Sequence, residues 1–188
     1  EYNPQSARQL LAEAGWTDTD GDGYVDKDGK PLTLRWLTYS FRQELPLLAE
    51  AAQSWLKETG IRLEINPKDG YADFLRRGEW DIYAKAFVTA PTGDAQYYFP
   101  THVLKESAYN SGNYYNPDTE SLIGQLGSEF SPEKRTELAA AISRKLVDGS
   151  AFAYIAHLKM TLAMKSTVQG FAAHPCDYYE ITKDLSID

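Results

Sequence analysis

The chain has 188 residues, with 19 Lys and Arg against 27 Asp and Glu, a formal net charge of −8. That length supports one domain with a sizeable core, and the acidic balance argues against non-specific binding to nucleic acid or anionic membrane. A single cysteine, Cys176, excludes an internal disulfide, and no apolar run is long enough to span a bilayer.

The elements are read in chain order. Asn3 suits a helix N-cap with Pro4 in the first turn. Leu10, Leu11 and Ala14 fall on one helix face, and Gly15 stops that helix. A carboxylate-rich turn follows, Asp18-Thr19-Asp20-Gly21-Asp22-Gly23, and then Leu32, Leu34 and Trp36 alternate as a half-buried strand over 32–38. Tyr39-Ser40-Phe41-Arg42 is a loop. A helix over 44–59 places Leu47, Leu48, Ala51, Trp55 and Leu56 at helical spacing before Gly60. A strand over 61–65, a short helix over 71–77 ended by Gly78, and an apolar strand over 80–88, predicted central, come next.

The stretch from Thr89 to Tyr115 has no periodicity and carries Pro91, Gly93, Pro100 and Gly112. A loop of that length in a compact domain is usually functional or disordered, and its tyrosines favour function. Helices then start at Asn116-Pro117, with Leu122, Ile123 and Leu126 inward, and at Ser131-Pro132, with Leu138, Ile142 and Leu146 inward. Residues 151–164 read as strand-rich, and the tail from Gly170 as irregular. Strands alternating with helices predict an α/β fold, a mixed sheet flanked by helices. The 13 Tyr and 4 Trp suit ligand walls and ordinary cores equally.

The order helix, Gly15-Trp16, acidic turn, Asp28-Gly29-Lys30-Pro31-Leu32-Thr33-Leu34 resembles the peptide/nickel-type solute-binding proteins of bacterial ABC importers. Further pieces agree in order: Trp55 to Ile65, Gly78-Glu79-Trp80-Asp81, Tyr115 to Ile123, and Pro132 to Arg135. The resemblance implies one lobe of a periplasmic-binding-protein-like type II clamp, with residues 1–188 a single C-terminal lobe excised from a longer chain and the N-terminal lobe absent. It implies an extracytoplasmic location, periplasmic or extracellular, with a membrane-anchored lipoprotein as the full-length form. The implied partners are a small-molecule or metal-chelate ligand, the ABC permease subunits and the missing lobe.

Peptide-binding members place an aspartate before a Gly-Asp-Pro-like turn, where it pairs with the ligand ammonium. Here Thr89-Ala90-Pro91-Thr92 precedes Gly93-Asp94 and carries no acid, so a buried peptide ammonium lacks its partner. Ala90 to Phe99 and Asp177 to Thr182 instead resemble nickel-binding members. The resemblance therefore favours nickel, carried as a chelate, as transported ligand over oligopeptide. Tyr39, Arg42, Thr89, Pro91, Tyr97 and Tyr98 are the ligand-facing candidates, with Arg42 aimed at a carboxylate.

Imidazole suits Ni(II), and His102 is the metal-ligand candidate. His157 lies in an apolar segment and reads as structural, and His174 beside Cys176 as a surface turn. Asp18, Asp20, Asp22 and Asp26 fit positions one, three, five and nine of an EF-hand loop, so a weak calcium site competes with a solvated turn there. Gly29 at position twelve, followed by a strand, argues against a true EF-hand. No nucleophile elbow, zinc-protease motif, phosphate loop or dinucleotide fingerprint is present, so no catalytic residue is assigned. A calcium-stabilised interaction module and a hydrolase domain remain as the other readings.

Overall fold

In the computed structural model the described residues are 2–68, 70–159, 161–173 and 181–188. They form two compact units, Glu1–Phe87 and Val88–Asp188.

The first unit opens with helix α1 (Pro4–Glu13), capped as its sequence demands: Asn3 accepts from the Ser6 amide and Pro4 takes the first helical position. Gly15 ends it at φ +82°, a conformation only glycine adopts freely. The hydrophobic stripe expected on α1 does not bury: Leu10 is exposed, and the helix is tied instead by Arg8 donating to the Glu58 carbonyl at 2.8 Å. Strands β1 (Asp26–Lys27) and β2 (Lys30–Pro31) make a small antiparallel ribbon.

Strand β3 (Thr33–Thr38) is the centre of a three-stranded parallel sheet between β4 (Arg62–Pro67) and β5 (Ile82–Tyr83). The antiparallel pairing of the expected mixed sheet thus resides in separate two-stranded ribbons, the second being β6 (Val168–Gln169) with β7 (Ser186–Ile187). Helix α2 (Glu44–Glu58) buries Leu45 and covers the parallel sheet with Ala49, Ala52 and Leu56 against Trp36, Leu63 and Ile65, the four positions being spaced four, three and four apart. This corrects the predicted face, since Leu47 and Trp55 point to solvent. Helix α3 (Tyr71–Arg77) ends at Gly78 with φ +65°, as its sequence predicts.

The strand over 80–88 is neither long nor central. β5 pairs only at Trp36↔Ile82 and Leu37↔Tyr83, on the edge of the order β4-β3-β5. The cause is that β3 leaves the sheet after Thr38, so residues past Ala84 run beyond their neighbour's backbone groups. The Ala86 amide is satisfied by the Tyr39 hydroxyl at 3.2 Å instead. At the other end of β5, Asp81 accepts from the Arg35 side chain at 2.9 and 3.0 Å and from the Arg35 amide at 2.8 Å. The Gly-x-Trp-Asp entry is therefore a side-chain clamp onto the central strand.

The second unit packs helix α4 (Tyr98–His102), α5 (Pro117–Ser128) and α6 (Pro132–Asp148) around Tyr98, Phe99, Val103, Ile123, Leu126, Ile142 and Leu146. Asn116 and Ser131 cap α5 and α6 through the amides of Thr119 and Lys134. The irregular stretch between α4 and α5 is held from within by buried Asn110. Its amide nitrogen donates to the Tyr114 carbonyl at 2.8 Å and its oxygen accepts from the Tyr114 amide at 3.0 Å. Over 151–164 no strand forms among the described residues, and Tyr154, Ile155, Leu158, Leu162 and Met164 are exposed. The segment has strand-like composition but pairs with no strand among the described residues, and His157 is exposed on it rather than buried in a strand.

Candidate functional site

In the first unit the chain passes from β3 to β4 on one side and returns to β5 on the other, so the strand order reverses between β3 and β5. In open α/β sheets ligands gather outside the carboxyl ends of strands at such a point. Here Tyr39 follows β3, and its buried ring stacks on Phe41 at 4.3 Å and meets Tyr71 at 4.8 Å. Tyr71 in turn stacks on Tyr83 at 6.1 Å. Phe41 is 68% exposed, so this aromatic plate presents a free apolar edge. Burial pushes the Tyr83 and Tyr39 hydroxyls up, keeping both neutral. Arg42 is exposed beside the plate, one residue before Gln43, the N-cap of α2.

Lys85 lies on the segment after β5, half-buried, with its ammonium 3.9 Å from the Phe87 ring centre. Burial lowers it to about 8. Phe41, Tyr71 and Lys85 were not singled out from sequence. The signal available was the switch in strand order, which needs the β3–β5 pairing and cannot be counted along the chain.

In the second unit Thr89 and Pro91 are half-buried, and the Gly93 amide closes a turn onto the Ala90 carbonyl at 2.9 Å. Asp94 accepts from the Gln96 amide at 2.7 Å, which turns the chain into α4. Tyr97, at the head of α4, is 46% exposed. Tyr98 is buried, its hydroxyl 3.2 Å from that of Tyr154. His102, at the end of α4, is 4% exposed and boxed by the rings of Tyr98 at 5.2 Å, Tyr109 at 5.6 Å and Tyr97 at 6.5 Å. Among the predicted ligand-facing residues, then, Arg42 and Tyr97 are open to solvent, Thr89 and Pro91 partly so, and Tyr39 and Tyr98 work from inside. His174, Cys176 and residues 177–180 lie outside the described residues.

In the acidic turn, Asp18, Asp20 and Asp22 each place an oxygen within 4.8 Å of the others, all exposed. Asp18 accepts from the amides of Gly21 at 2.7 Å and Gly23 at 3.0 Å, and Asp22 from Tyr24 at 2.8 Å. Asp26 stands apart, buried and accepting from both the amide and hydroxyl of Thr19. The turn therefore folds on its own backbone donors, and Asp26 belongs to its foundation rather than to the carboxylate group.

A parallel α/β unit with an aromatic wall at its strand ends, followed in the chain by a helical unit with a tyrosine-rich loop, is the build of a portion of a type II periplasmic binding protein. The chain belongs to the bacterial extracellular solute-binding proteins of family 5, since residues 1–110 match the family described as "Bacterial extracellular solute-binding proteins, family 5 Middle". It is 29% identical over 189 residues to the nickel-binding protein NikA of Staphylococcus aureus, covering 100% of this chain and 36% of that protein. It is 28% identical over 188 residues to the oligopeptide-binding protein AppA of Bacillus subtilis, covering 97% and 34%. The crystal structure of the Staphylococcus aureus protein in complex with Ni(L-His)2 matches with a TM-score of 0.79 at 27% identity, over 100% of this chain and 38% of that one. AppA bound to a nonapeptide superposes with a TM-score of 0.83 over 100% of this chain and 38% of that one. At 23% identity that match speaks for the fold alone. The chain spans about a third of the length of the relatives it matches. Both relatives are named for what they bind, nickel in one and oligopeptide in the other. No described helix is long and apolar enough to cross a membrane.

Proposed function

We propose that this chain is the ligand-binding part of an extracytoplasmic solute-binding protein that captures nickel held by a small organic chelator and delivers it to an ABC permease. A second lobe of the full-length protein closes over the ligand, and a lipid anchor holds the protein at the membrane. The likeness to the nickel-binding protein above supports the choice of ligand class. The observation that carries the choice against a peptide is the fate of Asp94. It is the sole acid between Thr89 and Tyr97, and both of its oxygens are taken by Arg135, at 2.6 and 2.9 Å. A peptide ammonium brought to this loop finds no carboxylate left to pair with, and an unpaired buried charge is costly.

Ligand-facing roles fall to Phe41 and Arg42 in the first unit, backed from inside by Tyr39, and to Thr89, Pro91 and Tyr97 in the second, backed from inside by Tyr98. His102 supplies an imidazole to the metal. Flat aromatic surface suits the face of a planar chelate, while Arg42 offers a forked donor to a chelator carboxylate. The likeness to AppA keeps oligopeptide as the second reading. Isothermal titration of the full-length protein with Ni(II) plus two equivalents of L-histidine, with Ni(II) alone and with tri-alanine decides between them. Nickel with histidine binds tightest on the proposed reading. Heat from tri-alanine alone would install the peptide reading, and heat from none of the three would reject both. Arg42→Ala weakens binding several-fold with an unchanged melting temperature, and unaltered affinity would remove Arg42 from the site.

A further inference from the structure

Arg135 is a residue that no ligand-facing role explains, yet its guanidinium makes four hydrogen bonds. It sits in the first turn of α6 with a side chain 21% exposed. Its Nε donates to Asp94 Oδ2 at 2.9 Å and its Nη2 to Asp94 Oδ1 at 2.6 Å. Its Nη1 donates to the carbonyls of Leu126 at 2.7 Å and Glu129 at 2.6 Å, at the end of α5. One guanidinium thus ties the end of α5 and the first turn of α6 to Asp94, forty-one residues earlier in the chain. Asp94 is more than a counter-ion, because Oδ1 also accepts from the Gln96 amide and so fixes where the chain turns into α4.

We propose that Arg135 is a positioning residue. Acting through Asp94, it holds the turn at 90–97 and the head of α4 in the shape that meets the ligand. The proposal rests on the reading of that loop as ligand-facing. The geometry argues for arginine in particular. A planar fork meets both carboxylate oxygens while its remaining N–H groups reach two carbonyls, which a lysine ammonium on a flexible stem cannot do together. A loop ordered before the ligand arrives spares the ordering cost at binding, so such a clamp acts on affinity. Tyr97 follows Asp94 by three residues, and His102 lies one helical turn and a residue beyond Tyr97. A loosened clamp therefore disorders the exposed ring and misplaces the imidazole together.

The test uses Arg135→Lys and Asp94→Asn in the full-length protein, with Tyr97→Ala as the control within the loop. Hydrogen exchange reads the loop directly. The amides of Gln96 and Tyr98 exchange at least about tenfold faster in both clamp variants, while the amide of Ile142 in the α6 core is unchanged. Affinity for nickel with two L-histidines, or for tri-alanine if the wild type binds that instead, falls at least about fivefold in Arg135→Lys. Wild-type exchange at Gln96 and Tyr98 in Arg135→Lys overturns the proposal, because charge alone would then suffice. Acceleration that extends equally to Ile142 also overturns it, because the role is then general stability. If Tyr97→Ala weakens binding and Arg135→Lys does not, the loop reading survives and the positioning role falls. If Tyr97→Ala leaves affinity unaltered, the loop reading itself fails and the positioning role with it.

Discussion

His102 is the residue on which the nickel reading is most exposed to test, because the structure buries it. Its ring is 4% exposed among three tyrosines, so its removal has two separable consequences. Truncation to Ala leaves a hole the size of most of an imidazole in the wall of the second unit's core. Large-to-small changes of buried aromatic side chains cost ~3–5 kcal/mol, and the smaller imidazole scales this to about 2–3 kcal/mol. His102→Leu, close in volume, restores most of that packing and costs under about 1.5 kcal/mol. Neither variant retains a nitrogen donor. If the imidazole reaches the metal, through movement of exposed Tyr97 or Tyr109, both variants lose at least about tenfold in affinity for nickel–histidine, a loss of ~1.4 kcal/mol. Urea denaturation and titration calorimetry on the same three proteins separate the two effects. A His102→Leu variant that is stable and binds nickel–histidine like wild type would refute the metal role and leave His102 as a core residue.

Three further outcomes follow from local geometry. Gly60 has φ +84°, and a Cβ there would meet Val25 Cγ1 at 2.8 Å, so Gly60→Ala costs about 2 kcal/mol in urea melts. Val25→Ala added to it recovers part of the loss, and strict additivity would disprove the clash. Asp18 accepts two backbone amides in the acidic turn, so Asp18→Ala lowers the melting temperature by a few degrees, whereas millimolar calcium moves it by under about 1 °C because no exiting helix brings a twelfth-position carboxylate. A calcium shift of several degrees, abolished by Asp18→Ala, would restore the calcium reading. In acid, Arg35 and Arg135 hold the carboxyls of Asp81 and Asp94 below their ordinary 3.8. Their contribution to stability is therefore fully present above that value and is lost as pH falls through the lower folded values. An acid-unfolding profile below pH 3.8 should be shallower in Asp81→Asn and Asp94→Asn, and superimposable profiles would count against both pairs.

What the sequence disclosed was governed by how local its causes are. Helix ends were legible because a cap is written within four residues: Asn3 with Ser6, Asn116 with Thr119, Ser131 with Lys134. The inner faces of α5 and α6 were legible for the same reason, since each packs one continuous stripe. The face of α2 was not. Its richest apolar positions, Leu47 and Trp55, are exposed, and small Ala49 and Ala52 let the helix approach the sheet. Size complementarity at a helix–sheet contact favours alanine, and a hydrophobicity count does not register it. The strand over 80–88 was overextended because its apolar residues said nothing about where its neighbour β3 would stop.

The site shows the same division more sharply. Tyr39, Arg42 and the Thr89–Tyr98 stretch could be proposed from sequence because a long tyrosine-rich loop and a strand end are features of the chain itself. The pairing of Asp94 with Arg135 spans forty-one residues and left no trace in either local pattern. Yet that pairing alters the meaning of the loop. Read from sequence, Asp94 is simply the acid of the Gly93-Asp94 turn, with no acid in the four residues before it. Engaged by a fork that also grips the end of α5, it becomes part of the scaffold, and the loop it anchors presents aromatic and hydroxyl surface with no free charge. A ligand that suits such a surface brings its own charge already neutralised, as a metal does inside a chelate. The choice between the two ligand classes therefore turns less on which residues the loop contains than on which of them the fold has already used.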